Sequence, residues 1–436
     1  QNPWRKGNPV VDTSIQRALF PQIFKDINNP EITVLTGSRQ VGKTTLLKSM
    51  ISRLLTDGVS SDAIFYFNLD DIHLISYFSE YTDFLEFIAS EHSGFSYIFI
   101  DEAQRLENPG IFLKLIYDLG PNMKPDMKII VSGSSALELK TKTTEHLTGR
   151  KHTFELYPFS FEEFLKHHHA DYFFTKPIST LTKFHAMTIE SLLDKFILSG
   201  GYPKPLTAVT FENKLIEIKE IYDSYIKKDV KDFLNVENTG GYNNLIKALA
   251  MQTGNLINYN ELSLVSGLNV ATVKKYMDFL EGTYIFKRVL PWFTNARKEI
   301  SKAPKIYGYD TGLLNYITNN FHKDAKHKDA KASGNMIENF VCCELIKKGL
   351  DIKYWRTGSG AEVDFIINGL PLEVKSTNLK KTTLSKSFIS YCKKYHPATG
   401  ILFNQSLYAE RSIEDTRVHF FPLWAVPLVL KNLFNA

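Results

Sequence analysis

Cysteine is scarce in this chain: three residues in 436, two of them adjacent at Cys342 and Cys343. That spacing gives neither a disulfide framework nor a C-x-x-C metal pair, and it fits a reducing, cytoplasmic setting. Long apolar runs are missing as well. The closest, 420–430, carries Pro422 and Pro427 and falls short of the ~20 residues a membrane helix needs, so neither a membrane span nor a membrane partner is expected. The opening Gln1-Asn2-Pro3-Trp4-Arg5 lacks the apolar stretch of a secretory leader.

Charge of one sign is absent over most of the length. The net charge is +5, and segment 270–306 holds all of it, with eight bases (Lys274, Lys275, Lys287, Arg288, Arg297, Lys298, Lys302, Lys305) against three acids. A local positive field of this kind is the footprint expected where a phosphate backbone docks, with a solvated basic face as the alternative. Apolar residues make up 43%, enough for packed cores, and the length predicts roughly two to four domains.

Residues 37–44 read Gly-Ser-Arg-Gln-Val-Gly-Lys-Thr, a complete GxxxxGK[ST] loop, and follow a strand-like run through Ile32, Val34 and Leu35. Such a loop wraps its backbone N–H groups around phosphate at a helix N-terminus. The expected nucleotide contacts are Gly37, Ser38, Arg39, Gln40, Val41, Gly42, Lys43, Thr44 and Thr45. Lys43 would reach the β and γ phosphates, and the Thr44 hydroxyl would ligate Mg²⁺.

About sixty residues later, an apolar strand ends in Asp101-Glu102. Asp101 is expected to hold Mg²⁺, and Glu102 to orient or deprotonate the attacking water. A further strand, 128–131, runs into Ser132-Gly-Ser-Ser135, from which Ser134 is chosen as a γ-phosphate sensor, helix capping being the alternative. Arg150, just before a strand at 153–156, suits a finger that completes a neighbouring subunit's site, or else a surface residue closing a turn.

Segments 260–267 and 269–280 read as two helices joined by a glycine-containing turn. Val270, Val273, Tyr276, Met277 and Leu280 supply packing positions, leaving Thr272, Lys274 and Lys275 outward. Strands at 284–289 and 305–309 would form a wing around a basic loop holding Arg297, Lys298 and Lys302. These six residues are the expected DNA contacts, protein docking being the alternative role of such a module. Near the C-terminus, Asp364 and Glu373-x-Lys375 fall on predicted adjacent strands in the PD-(D/E)xK nuclease pattern. Asp364 and Glu373 would bind Mg²⁺ as hard oxygen ligands, Lys375 would assist hydroxide formation, and Glu338 from the preceding helix would complete the metal shell. Glu362 shares a strand face with Asp364.

Taken together, the loop, Ile-Asp-Glu-Ala-Gln104, Val-Ser-Gly-Ser-Ser135, Gly149-Arg150, Leu-Tyr-Pro-Phe-Ser-Phe-Glu-Glu-Phe164, Gly200-Gly-Tyr-Pro203 and Tyr225-Ile-Lys-Lys-Asp229 carry a resemblance across nearly the whole chain. It resembles the bacterial and archaeal AAA-type ATPases that end in a restriction-endonuclease-like domain. The resemblance implies a three-layer α/β ATPase core over 1–160, a helical lid over 161–235, a winged helix over 236–318, a charged linker over 319–334 and a PD-(D/E)xK-like α/β domain over 335–436. It also implies ATP as the nucleotide and self-association into a ring, a hexamer, in which Arg150 acts in trans. Two functions follow as alternatives. One is a motor that couples ATP hydrolysis to binding or remodelling DNA, branched DNA included, with a C-terminal endonuclease. The other is an ATP-dependent oligomeric switch whose nuclease-like domain binds without cutting.

Overall fold

The apolar runs of the first 157 residues become strands of one parallel sheet. The computed structural model describes residues 2–7, 15–123, 126–133, 147–170, 173–174, 176–224, 238–293, 302–321 and 330–434. Strands β1 (Ile32–Gly37), β2 (Ile64–Asn68), β3 (Ser96–Asp101), β4 (Met127–Gly133) and β5 (Lys151–Leu156) lie in the order β2-β3-β4-β1-β5. All their pairings are parallel. Every residue of β1 is buried, as expected for a strand covered on both faces.

Alternate side chains feed two separate cores. Phe65 and Phe67 of β2 pack with Phe84 and Phe112, from helices Tyr81–Glu91 and Pro109–Met123, on one face. Tyr66 and Phe99 pack on the other with Leu46, Leu47, Met50 and Ile51 of helix Lys43–Thr56. The result is the expected three-layer α/β core, with β4 inserted between β1 and β3. Because the strands run parallel, the loop after β1 and the carboxylates after β3 emerge at the same end of the sheet, where such sheets bind ligands.

The chain forms two compact units, Gln1–Tyr157 with Gly282–Tyr284, and Pro158–Glu281 with Ile285–Ala436. The first holds the parallel sheet and the phosphate loop. In the second, the boundaries expected at 235/236, 318/319 and 334/335 fall within one packed body. Helices Phe161–His167, Lys183–Ser199, Pro203–Thr207 and Phe211–Ile221 fall within 161–235. Helices Thr239–Met251, Tyr259–Ser266 and Val270–Gly282 then lead into an antiparallel pair, β6 (Phe286–Pro291) and β7 (Lys305–Gly308).

That pair does not stand apart as an independent wing. Leu290 and Pro291 of β6 pair in parallel with Lys353 and Tyr354 of β8 (Lys353–Arg356). An eight-stranded sheet results, in the order β12-β13-β11-β10-β9-β8-β6-β7. It contains β9 (Glu362–Ile367), β10 (Leu370–Val374), β11 (Thr399–Asn404), β12 (Ala409–Ile413) and β13 (Thr416–Pro422). The physical reason is edge satisfaction: the outer edge of β6 has unpaired backbone groups, and β8 supplies partners for them. Of the expected linker, 322–329 lies outside the described residues, and a helix, Ala330–Lys347, begins before its expected end.

Two motifs behind the resemblance turn out to hold this second unit together. Asp310 accepts the Gly201 N–H at 2.6 Å and that of Leu313 at 2.8 Å, while Phe159 N–H donates to the Gly201 carbonyl at 2.7 Å. Buried Glu344 accepts the Phe161 N–H at 3.1 Å and pairs with Lys347 at 3.0 Å. Among the described residues no helix is long and apolar enough to cross a membrane.

Candidate functional site

The phosphate loop is shaped by two glycines. Gly37 has φ +154, and a Cβ there would lie 2.2 Å from the Leu156 carbonyl oxygen, so only glycine permits this approach of β5. Gly42, at φ 103, turns the chain into helix Lys43–Thr56, whose N-terminus has no side-chain cap. The first-turn N–H groups are therefore available to an anion. Lys43 is buried, its ammonium donating to the carbonyls of Gly37 at 3.0 Å and Ser38 at 2.8 Å. The Ser38 hydroxyl is buried and has no hydrogen-bond partner among the described residues. Val41 is fully buried, Arg39 and Gln40 are half-buried, and Thr45 is exposed. Arg17, which sequence reasoning missed, pins the loop by donating to the carbonyls of Val41 at 3.0 Å and Tyr157 at 2.5 Å.

The loop and the β3 carboxylates meet directly. The Thr44 hydroxyl donates to Asp101 Oδ2 at 2.6 Å. Tyr66 donates to the same oxygen at 2.9 Å, and the Ser132 hydroxyl donates to Oδ1. Burial, with Asp101 beside it, pushes the Tyr66 hydroxyl far above its usual range, so it remains a donor. Glu102 adopts a left-handed conformation, φ 59, and accepts from Gln104 Nε2 at 2.5 Å. A non-glycine residue held there carries strain of roughly 1–3 kcal/mol, a feature that clusters at functional sites. An ATP phosphate and Mg²⁺ fit this arrangement: an uncapped helix start and an orphaned buried hydroxyl face the loop, while a Thr–Asp oxygen pair lies beside it.

The C-terminal acids are differently arranged. Asp364 on β9 and Glu373 on β10 occupy the expected strands, and the Val374 N–H donates to Asp364 Oδ2 at 2.8 Å. Glu373 is engaged by Lys375 at 2.5 Å and by the Ser385 hydroxyl at 2.8 Å. Glu338 accepts from Tyr307 at 2.6 Å and from Lys305 at 3.2 Å. Burial, with Glu338 and Glu373 nearby, raises the Asp364 carboxyl well above the ordinary carboxylate range. The metal shell expected from Glu338, Asp364 and Glu373 does not assemble: among the described residues no three His, Cys, Asp or Glu side chains form a group able to hold a metal ion. Each carboxylate accepts from at least one lysine, hydroxyl or backbone N–H, and the three are not gathered into one group. The set does not fit Mg²⁺ as it stands.

Comparison with known proteins bears on both regions. Residues 29–165 match the family described as an AAA domain. This segment is similar to AAA-type domains and carries the phosphate loop and the Asp101-Glu102 strand end. Beyond it, 190–324 and 333–426 match two families described as domains of unknown function, DUF8612 and DUF4143. The chain is 26% identical to an uncharacterized protein of Haemophilus influenzae, over 79% of this chain and 80% of that one. It is 27% identical to an uncharacterized protein of Methanocaldococcus jannaschii, over 84% of this chain and 76% of that one. Similar solved structures include the Walker-type ATPase of Pyrococcus abyssi, at 15% identity and TM-score 0.44, covering 70% of this chain and 96% of that one. The Aeropyrum pernix ORC2 protein matches at 11% identity and TM-score 0.41, covering 72% and 96%.

Within the AAA-type domain, Arg150 lies far from its own phosphate loop. It precedes β5, whose register with β1 runs from Ile32↔Lys151 to Gly37↔Leu156, so a six-residue strand of about 20 Å separates it from Gly37. Its guanidinium binds Asp118 through two contacts, at 2.7 and 3.1 Å. Ser134 lies outside the described residues; Ser132, two positions earlier, is the serine that touches Asp101. Tyr284, also missed, belongs to the same compact unit and donates to Glu155 at 3.0 Å, with its hydroxyl 3.2 Å from that of Thr36.

The expected DNA contacts are partly described. Lys274 and Lys275 are exposed and Thr272 half-buried on helix Val270–Gly282, where Asn269 caps the Thr272 N–H at 2.8 Å. Lys302 is exposed, while Arg297 and Lys298 lie outside the described residues. The basic excess read from the sequence is smaller in space. Arg288 pairs with Glu281 at 2.6 Å and Asp278 at 2.7 Å, Lys287 with Glu281 at 3.4 Å, and Lys305 is buried among acids.

Proposed function

We propose that this chain is a Mg²⁺-dependent ATPase that couples ATP hydrolysis to the binding or remodelling of DNA. The observation that carries the ATPase reading is the 2.6 Å hydrogen bond between Thr44 and Asp101, which joins loop and β3 where a nucleotide's metal would be held. Thr44 and Asp101 would hold the ion, with Tyr66 and Ser132 fixing the Asp101 carboxylate. Bound there, Mg²⁺ would neutralise charge on the transferring phosphoryl group. Lys43 would exchange its two loop carbonyls for β and γ phosphate oxygens. Glu102, oriented by Gln104, would take the proton of the attacking water. Arg150, too distant to serve its own site, would complete that of a neighbour in a ring, a hexamer.

DNA engagement is supported by the winged-helix-like order of three helices and an antiparallel pair, with Lys274 and Lys275 exposed on the third helix. Fluorescence anisotropy with duplex and four-way junction DNA should give salt-sensitive binding by the full chain. Lys274→Ala and Lys275→Ala should each weaken it across sequences and lower the salt slope by about 1. Absence of any affinity at low salt contradicts this reading.

We read the C-terminal sheet as an endonuclease-like fold, PD-(D/E)xK in pattern, that serves the assembly without cutting. The engaged carboxylates favour a binding role for this sheet over an active nuclease.

A further inference from the structure

Lys305 was legible in the sequence only as a wing residue. In the folded chain it leaves β7 for the interior, its side chain 2% exposed. Its ammonium lies 2.6 Å from Glu362 Oε1 and 3.2 Å from Glu338 Oε1. Tyr307, two residues along the same strand, donates to that same Glu338 oxygen at 2.6 Å. Arg356 reaches the other Glu362 oxygen at 3.1 Å. Asp364 follows Glu362 by two positions, on the same face of β9. Two carboxylates thus converge on a single point, and that point is a nitrogen carrying a positive charge.

We propose that Lys305 is the resident cation of this acid cluster, occupying in the fold the position a divalent metal would take and excluding Mg²⁺ and Mn²⁺ from it. Two ion pairs, at 2.6 Å to Glu362 and 3.2 Å to Glu338, offset the cost of burying its charge. A dication entering the cluster would meet a buried ammonium already paired with both carboxylates, on a backbone fixed on either side of it: the Ile306 N–H donates to the Asn255 carbonyl at 3.1 Å, and the Ile257 N–H to that of Pro304 at 2.8 Å. Pairing of β6 with β8 is what brings this hairpin, and with it the lysine, to the acids. The lysine ties Glu338 to Glu362 beside Asp364 and fills with its own charge the place the metal for cutting would need.

This inference rests on the non-cutting reading above, and its test is separable from DNA binding, which the anisotropy titration scores by itself. The full chain, free of nucleotide, is titrated with Mn²⁺ while free Mn²⁺ is followed by electron paramagnetic resonance. Wild type and Asp364→Asn should show the same uptake. Lys305→Met should gain one bound Mn²⁺ per chain, lost again when Glu362→Gln is added, whereas Lys305→Arg should gain none. A wild-type Mn²⁺ site that Asp364→Asn removes overturns the proposal, and that comparison does not depend on the Lys305 variant folding. A Lys305→Met chain that keeps its circular-dichroism melt yet takes up no extra Mn²⁺ overturns it too.

Discussion

Glu102→Gln should slow ATP hydrolysis by roughly 10²–10⁴-fold while leaving ATP binding near its wild-type strength. The substitution preserves shape and removes only the basic oxygen. Glu102 stands at the end of β3, held in a left-handed conformation beside Asp101 and oriented by Gln104. It touches neither the loop carbonyls nor the Thr44–Asp101 pair, so phosphate binding should survive. Steady-state phosphate release, paired with binding of a fluorescent ATP analogue, separates the two effects. A variant that hydrolyses ATP within a few-fold of wild type would show that another group activates the water.

Arg150→Ala should lower turnover by about 10³-fold, the lower end of what an arginine finger supplies, with nucleotide binding retained. Stability should hardly change, because the Arg150–Asp118 pair is solvent-accessible and such pairs contribute little. Distance argues for action in trans: the strand length of β1 and β5 lies between Arg150 and its own loop. Mixing Arg150→Ala chains with Lys43→Ala chains should therefore restore part of the activity, since some interfaces then combine an intact loop with an intact arginine. A mixed assembly that forms without recovering activity, or an Arg150→Ala chain of unchanged turnover, would leave this arginine as a surface tie to Asp118.

What could be read in advance was local. The loop at 37–44, the strand ending in Asp101-Glu102 and strands β8 to β10 announce themselves through apolar runs next to motif residues, and the fold keeps them where expected. What escaped depends on pairing between distant segments. Tyr66 reaches Asp101 because β2 lies beside β3, with Asn68 level with Asp101. Nothing in the residues around Tyr66 signals that role. Lys305 counted toward a basic wing, yet the parallel junction of β6 with β8 carries it into the acid cluster, and Arg288 and Lys287 pair with Asp278 and Glu281 of the preceding helix. A charge count along the chain cannot separate bases that face solvent from bases spent on internal acids. The same limit applies to the Asp364, Glu373, Lys375 pattern: its spacing shows which strands carry the groups but not that each carboxylate already has a partner.

The central claim is that nucleotide hydrolysis and DNA engagement belong to one cycle. Its most direct test is ATP turnover by the full chain at low salt, with and without duplex, single-stranded and four-way junction DNA, using Lys43→Ala as the blank. Coupling predicts that at least one DNA form stimulates hydrolysis several-fold and that rising salt abolishes the stimulation as it abolishes binding. Turnover that is robust, dependent on Lys43 and indifferent to every DNA form would contradict the account.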